Sequence, residues 1–169
     1  KFEDPKSWII SCEELLKDTP FEIKKYLSRL SISGTSGTLL ACSLGGEALG
    51  DPIRYDKICD IDNKVLYAIA REYEILKDPY SSLAKALYLL NLHGFNILLR
   101  HQTDWITGFL LNNFDYGEEG NNIKLGWDVI SESWPKNFNS LSWYSSLPII
   151  KKSGQPLGKI NSKFRKKLK

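Results

Sequence analysis

The chain has 169 residues, 42% of them apolar and 12% aromatic, with 23 basic and 20 acidic side chains for a net charge of +3. A length of this order suits one domain with a substantial core, and the apolar and aromatic content excludes a disordered chain. No run approaches the roughly 20 apolar residues of a membrane span, and the three cysteines lack Cys-x-x-Cys spacing, so a soluble, cytoplasmic protein with buried structural thiols is expected.

In chain order the elements read as mixed α/β. Asp4-Pro5 reads as an N-cap and first helical residue, and Trp8, Ile9, Cys12, Leu15 and Leu16 recur at helical spacing, which predicts a helix to about Lys17. Thr19-Pro20-Phe21-Glu22 has the Thr-x-x-Glu capping-box pattern and predicts a second short helix to about Ser28. Strands are predicted at about 29–33 and 38–43, followed by a tight hairpin at Gly45-Gly46 and an extended piece from Asp51-Pro52 to Tyr55. These form an antiparallel ribbon with the turn Gly34-Thr35-Ser36-Gly37-Thr38 at one end.

Farther on, Ile61, Val65, Ile69, Tyr73 and Leu76 mark one face of a helix. Asp78-Pro79 restarts a helix through Leu83, Leu87 and Leu90, and Gly94 supplies its stop. Residues 96–99 read as a short apolar strand, 103–111 as a helix and 112–122 as a loop rich in Gly, Asn and acids. After Asn121 only short pieces are expected, with Trp127, Trp134, Phe138 and Trp143 supplying apolar bulk. Lys159, Lys163, Arg165, Lys166, Lys167 and Lys169 concentrate the positive charge at the end, leaving 17 basic against 20 acidic side chains elsewhere. One short cluster of this kind reads as the solvated face of a basic helix over 161–169 rather than a nucleic-acid site.

Among local signals the 34–38 turn is the most informative. Glycines at both ends let the backbone approach a ligand closely, and consecutive N–H groups in such a turn form anion-binding nests. A plain structural turn uses the same residue types. His93 and His101 lack a metal-ligand pattern, and neither a Gly-x-Ser-x-Gly elbow nor a Walker-A loop is present, so acyl transfer and P-loop phosphoryl transfer have no support.

Four blocks follow one another: Gly34-Thr35-Ser36-Gly37-Thr38, Pro52-Ile53-Arg54-Tyr55-Asp56, Ser81-Ser82-Leu83-Ala84-Lys85 and His101-Gln102-Thr103-Asp104-Trp105. In this order, and continued by Leu125-Gly126-Trp127-Asp128, Trp134-Pro135 and Gly154-Gln155-Pro156-Leu157-Gly158, they resemble the FGGY carbohydrate kinases. The likeness is greatest to the D-ribulokinase and xylulokinase-like branch and spans nearly the whole chain. It implies a ribonuclease H-like, actin-like ATPase lobe of a sugar kinase, incomplete at both ends. Residues 1–169 are then a single partial domain, the interior of the sugar-binding N-terminal lobe.

The family's Asp-x-Gly-Thr phosphate motif does not precede Lys1, and the absence of Met predicts an incomplete N-terminus. By the same resemblance the catalytic Asp falls beyond Lys169, so no catalytic residue is expected here. The intact enzyme is expected to use ATP and Mg2+ from a second lobe to phosphorylate a ketopentose, D-ribulose or D-xylulose. This chain alone is expected to be inactive, with the missing lobe, or a second copy held through exposed apolar surface, as partner. A non-catalytic sugar- or partner-binding remnant is the other reading.

The resemblance nominates Thr35, Ser36, Gly37, Tyr55, Asp56 and Asp104 as substrate-binding residues. The hydroxyls of Thr35 and Ser36 match sugar hydroxyls as donors and acceptors, or stabilise the turn. Ser33 stands where Asp is common in the family, and Tyr55-Asp56-Lys57 departs from its Tyr-Asn-Asp stretch. Asp56 either binds a sugar hydroxyl through a charge-assisted hydrogen bond or is a solvated loop acid. Asp104-Trp105 invites sugar contact and stacking, while the apolar stripe of Trp105 with Ile106 and Phe109 favours core packing.

Overall fold

A computed structural model describes residues 4–167, apart from the side chains of Lys163 and Lys167. Its centre is an antiparallel pair, β1 (Leu39–Cys42) and β2 (Leu98–His101), with Leu39 opposite His101 and Cys42 opposite Leu98. Successive strand side chains leave opposite faces. Leu39 and Ala41 therefore enter one apolar cluster, and Leu40 and Cys42 enter another. With both faces covered, β1 reads as an unbroken apolar run rather than an alternating one.

The first cluster joins the pair to α3 (Asn63–Ala70) and α4 (Ser82–His93) through Leu66, Leu83, Leu89 and Leu99. The second joins it to α1 (Pro5–Asp18) and α5 (Gln102–Leu111) through Trp8, Ile9, Trp105 and Ile106. Two strands alone are marginal in water. Burial of each such Leu or Ile contributes about 2 kcal/mol, so the helices on both faces hold the ribbon.

Helix ends follow the local chemistry. Asp4 accepts from Lys6 N at 3.0 Å with Pro5 in the first turn, and Asp62 accepts from Lys64 N at 2.8 Å. Ser81 accepts from Ala84 N at 3.1 Å, which starts α4 at Ser82 rather than at the expected Pro79. Gly94 ends that helix with its N–H on the Leu90 carbonyl.

Several expectations are corrected. Residues 29–33 form no strand: both edges of β1 are taken, one by β2 and the other by single bridges to Ala48 and Ile53. The second helix, α2 (Phe21–Lys24), is shorter than expected and lacks a capping box. Thr19 Oγ1 instead donates back to the Leu15 carbonyl at 2.9 Å and closes the end of α1. The helix expected over 61–76 breaks after Ala70, where Arg71 takes a φ of +49°, and Glu74–Leu76 forms a separate 3-10 turn. The strand expected at 96–99 lies two residues later, in register with β1.

The expected 112–122 loop contains structure. β3 (Tyr116–Glu118) runs parallel to β4 (Ile149–Lys151) and leads straight into α6 (Glu119–Asn122). At the end, α7 (Ser162–Lys167) turns Phe164 onto Phe109, ring centroids 6.2 Å apart, and leaves Arg165 and Lys166 exposed. Residues 168 and 169 of the expected basic helix lie outside the described residues. Among the described residues no helix is long and apolar enough to cross a membrane.

Candidate functional site

The 34–38 turn leads into β1, and β2 ends beside it. The Gln102 N–H donates to the Thr38 carbonyl at 3.1 Å, which extends the strand pairing by one step and brings the first turn of α5 against Gly34 and Thr35. Thr35 N–H donates to Gln102 Oε1 at 3.4 Å. A Cβ added at Gly34 would lie 2.8 Å from Thr103 Cγ2 and 3.0 Å from Gln102 Oε1, so only glycine permits this approach. Gly37 takes a φ of +85°, a left-handed conformation that again favours glycine. Ser36 at the tip is exposed, Thr35 is half-buried, and Thr38 is fully buried with its hydroxyl unpaired among the described residues.

The opposite wall comes from two loops. Tyr55 packs against the turn: a Cβ at Gly37 would sit 3.5 Å from Tyr55 Cβ and 4.0 Å from Lys124 Cδ. Tyr55 itself is 48% exposed. Asp56 is exposed and bidentate with Arg54, at 3.1 and 2.9 Å. Beneath Tyr55 lies Lys85, fully buried, whose Nζ donates to the Tyr55 carbonyl at 3.4 Å and to the Tyr80 carbonyl. Burial pushes the Lys85 pKa down, and Lys124 adds to that against the opposing pull of Cys59, Asp78 and Asp56.

Behind the turn runs a sealed polar network. Ser82 Oγ lies 2.9 Å from His101 Nε2, and His101 Nδ1 lies 3.6 Å from Asp104 Oδ2. All three residues are less than 5% exposed. The order resembles a nucleophile, base and orienting acid, but a fully buried Ser82 offers no path to a substrate. Asp104 uses both oxygens inward, accepting from Glu118 N at 3.0 Å and from Asn122 Nδ2 at 3.1 Å. From there Asn121 Nδ2 donates to Thr103 Oγ1 and to Glu118 Oε2, each at 2.9 Å. Ser153 Oγ also donates to Glu118.

Of the nominated residues, Thr35, Ser36, Gly37 and Tyr55 thus come together at one surface corner. Asp56 lies next to it in the chain with its carboxylate held by Arg54, and Asp104 lies in the interior behind it. Trp105 is buried at 5% exposure, with Nε1 donating to the Gly46 carbonyl at 2.8 Å and Trp8 edge-on at 6.0 Å. Its role is core packing. Gln102, Thr103, Lys124 and Lys85 were not nominated and also line or support the corner. Pairing the end of β2 with the start of β1 is the signal that finds the first two. A shallow depression of about 430 Å³ elsewhere on the surface is lined by Glu22, Ile23, Tyr26, Leu27, Ser28 and Arg29, none of which belongs to this corner.

No family model matches the sequence. Solved structures do. The chain is similar to Plasmodium falciparum glycerol kinase with ADP, at a TM-score of 0.73 and 16% identity, over 95% of this chain and 37% of that one. It is similar to ligand-bound xylulose kinase from Lactobacillus acidophilus, at a TM-score of 0.71 and 16% identity, over 98% of this chain and 36% of that one. Gluconate kinase from the same organism gives 0.69 and 16%, with the same coverage. The fold is therefore the mixed α/β fold of a segment of sugar kinases with actin-like ATPase lobes. The chain spans just over a third of the length of the structures it matches.

Proposed function

We propose that this chain is part of the sugar-binding lobe of an ATP-dependent carbohydrate kinase of the FGGY type, acting on a ketopentose such as D-ribulose or D-xylulose. The observation that carries the reading is the hydroxyl-bearing 34–38 turn, walled by Gln102, Thr103, Tyr55 and Lys124, on a fold shared with three kinases. Thr35 and Ser36 receive the sugar by exchanging hydroxyl hydrogen bonds, with Tyr55 and Asp56 on the facing loop. Asp104 serves the site from behind, by fixing β3 and α6.

Among the described residues no cluster of three or more His, Cys, Asp or Glu side chains could hold a metal ion. The hydroxyls and amide at the 34–38 corner match the donors and acceptors of a sugar. In this proposal the nucleotide and Mg2+ bind a second lobe, which closes on the sugar, and catalysis is mainly positioning and charge stabilisation. Phe21, Ile23, Tyr26 and Leu27, each more than 40% exposed, form an apolar face suited to cover by further kinase chain or by a second copy.

Calorimetric titration of the chain with D-ribulose and D-xylulose tests the reading. Millimolar or tighter binding that weakens in S36A is the expected result. No heat from either sugar at millimolar concentration would defeat it.

A further inference from the structure

Lys85 is a buried cation that the proposed function does not use directly. Its side chain is fully buried in α4, yet no carboxylate lies within ion-pair distance among the described residues. Burying an ammonium without an anionic partner is costly, and an apolar side chain of similar volume would pack there at less cost. Desolvation of the ammonium therefore weighs against the stability gained from its hydrogen bonds. What the ammonium adds is a grip on two backbone carbonyls from separate loops, Tyr80 at the entry to α4 and Tyr55 beside the turn.

The second of these grips reaches the site. Tyr55 backbone is apposed to Gly37, with its Cα only 3.8 Å from where a Cβ on Gly37 would stand. Lys85, the Tyr55 carbonyl, the Tyr55 backbone and Gly37 thus form one mechanical series, running from a rigid helix to the tip of the turn. Of the neighbouring groups that act on the ammonium, Cys59, Asp78 and Asp56 favour its charged state and Lys124 opposes it.

We propose that Lys85 is a positioning residue for the substrate turn, its buried ammonium clamping the Tyr55 loop against Gly37 so that the 34–38 corner is held ready for a sugar. The inference rests on the function proposed above. It makes Lys85 a residue whose removal separates binding from stability. K85M keeps the stem and removes the charge.

The test measures three quantities on wild type and K85M: thermal midpoint, ketopentose affinity by calorimetry, and amide hydrogen exchange. The expected result is a K85M midpoint within a few degrees of wild type, with sugar bound about 10-fold more weakly, as loss of charged hydrogen bonds implies. Exchange at residues 36–38 and 54–56 quickens about 10-fold, while α1 and α5 are unchanged. Unchanged affinity in K85M overturns the inference, and so does a K85M that melts far below wild type or fails to fold, which would assign Lys85 to the scaffold. If wild type binds neither sugar, the proposed function fails, and local exchange alone then decides whether Lys85 positions the turn. Faster exchange confined to 36–38 and 54–56 upholds the clamp, and uniform or absent change removes it.

Discussion

Thr35 and Gln102 lie 67 residues apart in sequence and meet at 3.4 Å, the Thr35 N–H donating to Gln102 Oε1. This contact, with Thr103 against Gly34, pins the turn to the start of α5. G34A places a methyl carbon 2.8 Å from Thr103 Cγ2 and must push the turn off the helix. Overpacking of this kind costs about 1–3 kcal/mol. Chemical denaturation should show that loss, together with weaker ketopentose binding, whereas wild-type stability and affinity would show that the turn is not held there.

D104A should be among the more damaging single substitutions. It removes the acceptor for Glu118 N and one of the two acceptors of Asn122 Nδ2, which keeps only its bond to the Glu118 carbonyl at 2.8 Å. Loss of hydrogen bonds to a buried carboxylate predicts a drop of about 3 kcal/mol in unfolding free energy, and D104N, which keeps one acceptor, a drop of about 1 kcal/mol. Equal effects in urea unfolding would show that the two bonds are not what the carboxylate supplies.

The three thiols should react in a set order. Burial pushes the Cys42 thiol up to about 11 despite the nearby Arg100, and burial also raises Cys12 and Cys59. Cys12 is half-buried, whereas Cys42 and Cys59 are buried. At pH 8 a thiol reagent should modify Cys12 first and reach Cys42 only when the protein unfolds, because the thiolate is the reactive form. Mass mapping that finds Cys42 labelled as fast as Cys12 would contradict the packing of β1.

Glu118 links acid stability to the network. Burial opposes its ionisation, but donors from Ser153, Gly120 and Asn121 outweigh burial and hold the carboxyl below the ordinary glutamate range. A lowered folded-state pKa means stabilisation that is present above about pH 4.3 and lost as pH falls through the folded value. The stability difference between wild type and E118Q should therefore narrow as pH drops below about 4. A difference independent of pH would mean that the charge is irrelevant there.

Local chemistry was readable from the sequence where it acts over a few residues. Asp4-Pro5 and Gly94 begin and end helices as their types predict, whereas the Asp62 cap that starts α3 was not read. The turn at Gly34–Thr38 was legible for the same reason. What failed depended on distant partners. Leu30 to Ser33 has strand-like residues but finds no free edge, because Ile53 and β2 already occupy both sides of β1. Thr19 looked like a cap for α2 and instead closes α1, a choice between two nearby carbonyl and N–H sets that spacing does not decide. Gln102, Thr103, Lys124 and Lys85 reach the site only through pairing and packing. No local pattern reveals that.

The most direct test of the central claim is a two-dimensional amide spectrum of the isotopically labelled chain, titrated with D-ribulose. The account predicts saturable shifts at Gly34–Thr38, Tyr55–Asp56, Gln102–Thr103 and Lys124, with little change along α1. Shifts elsewhere, or none at millimolar sugar, would contradict it.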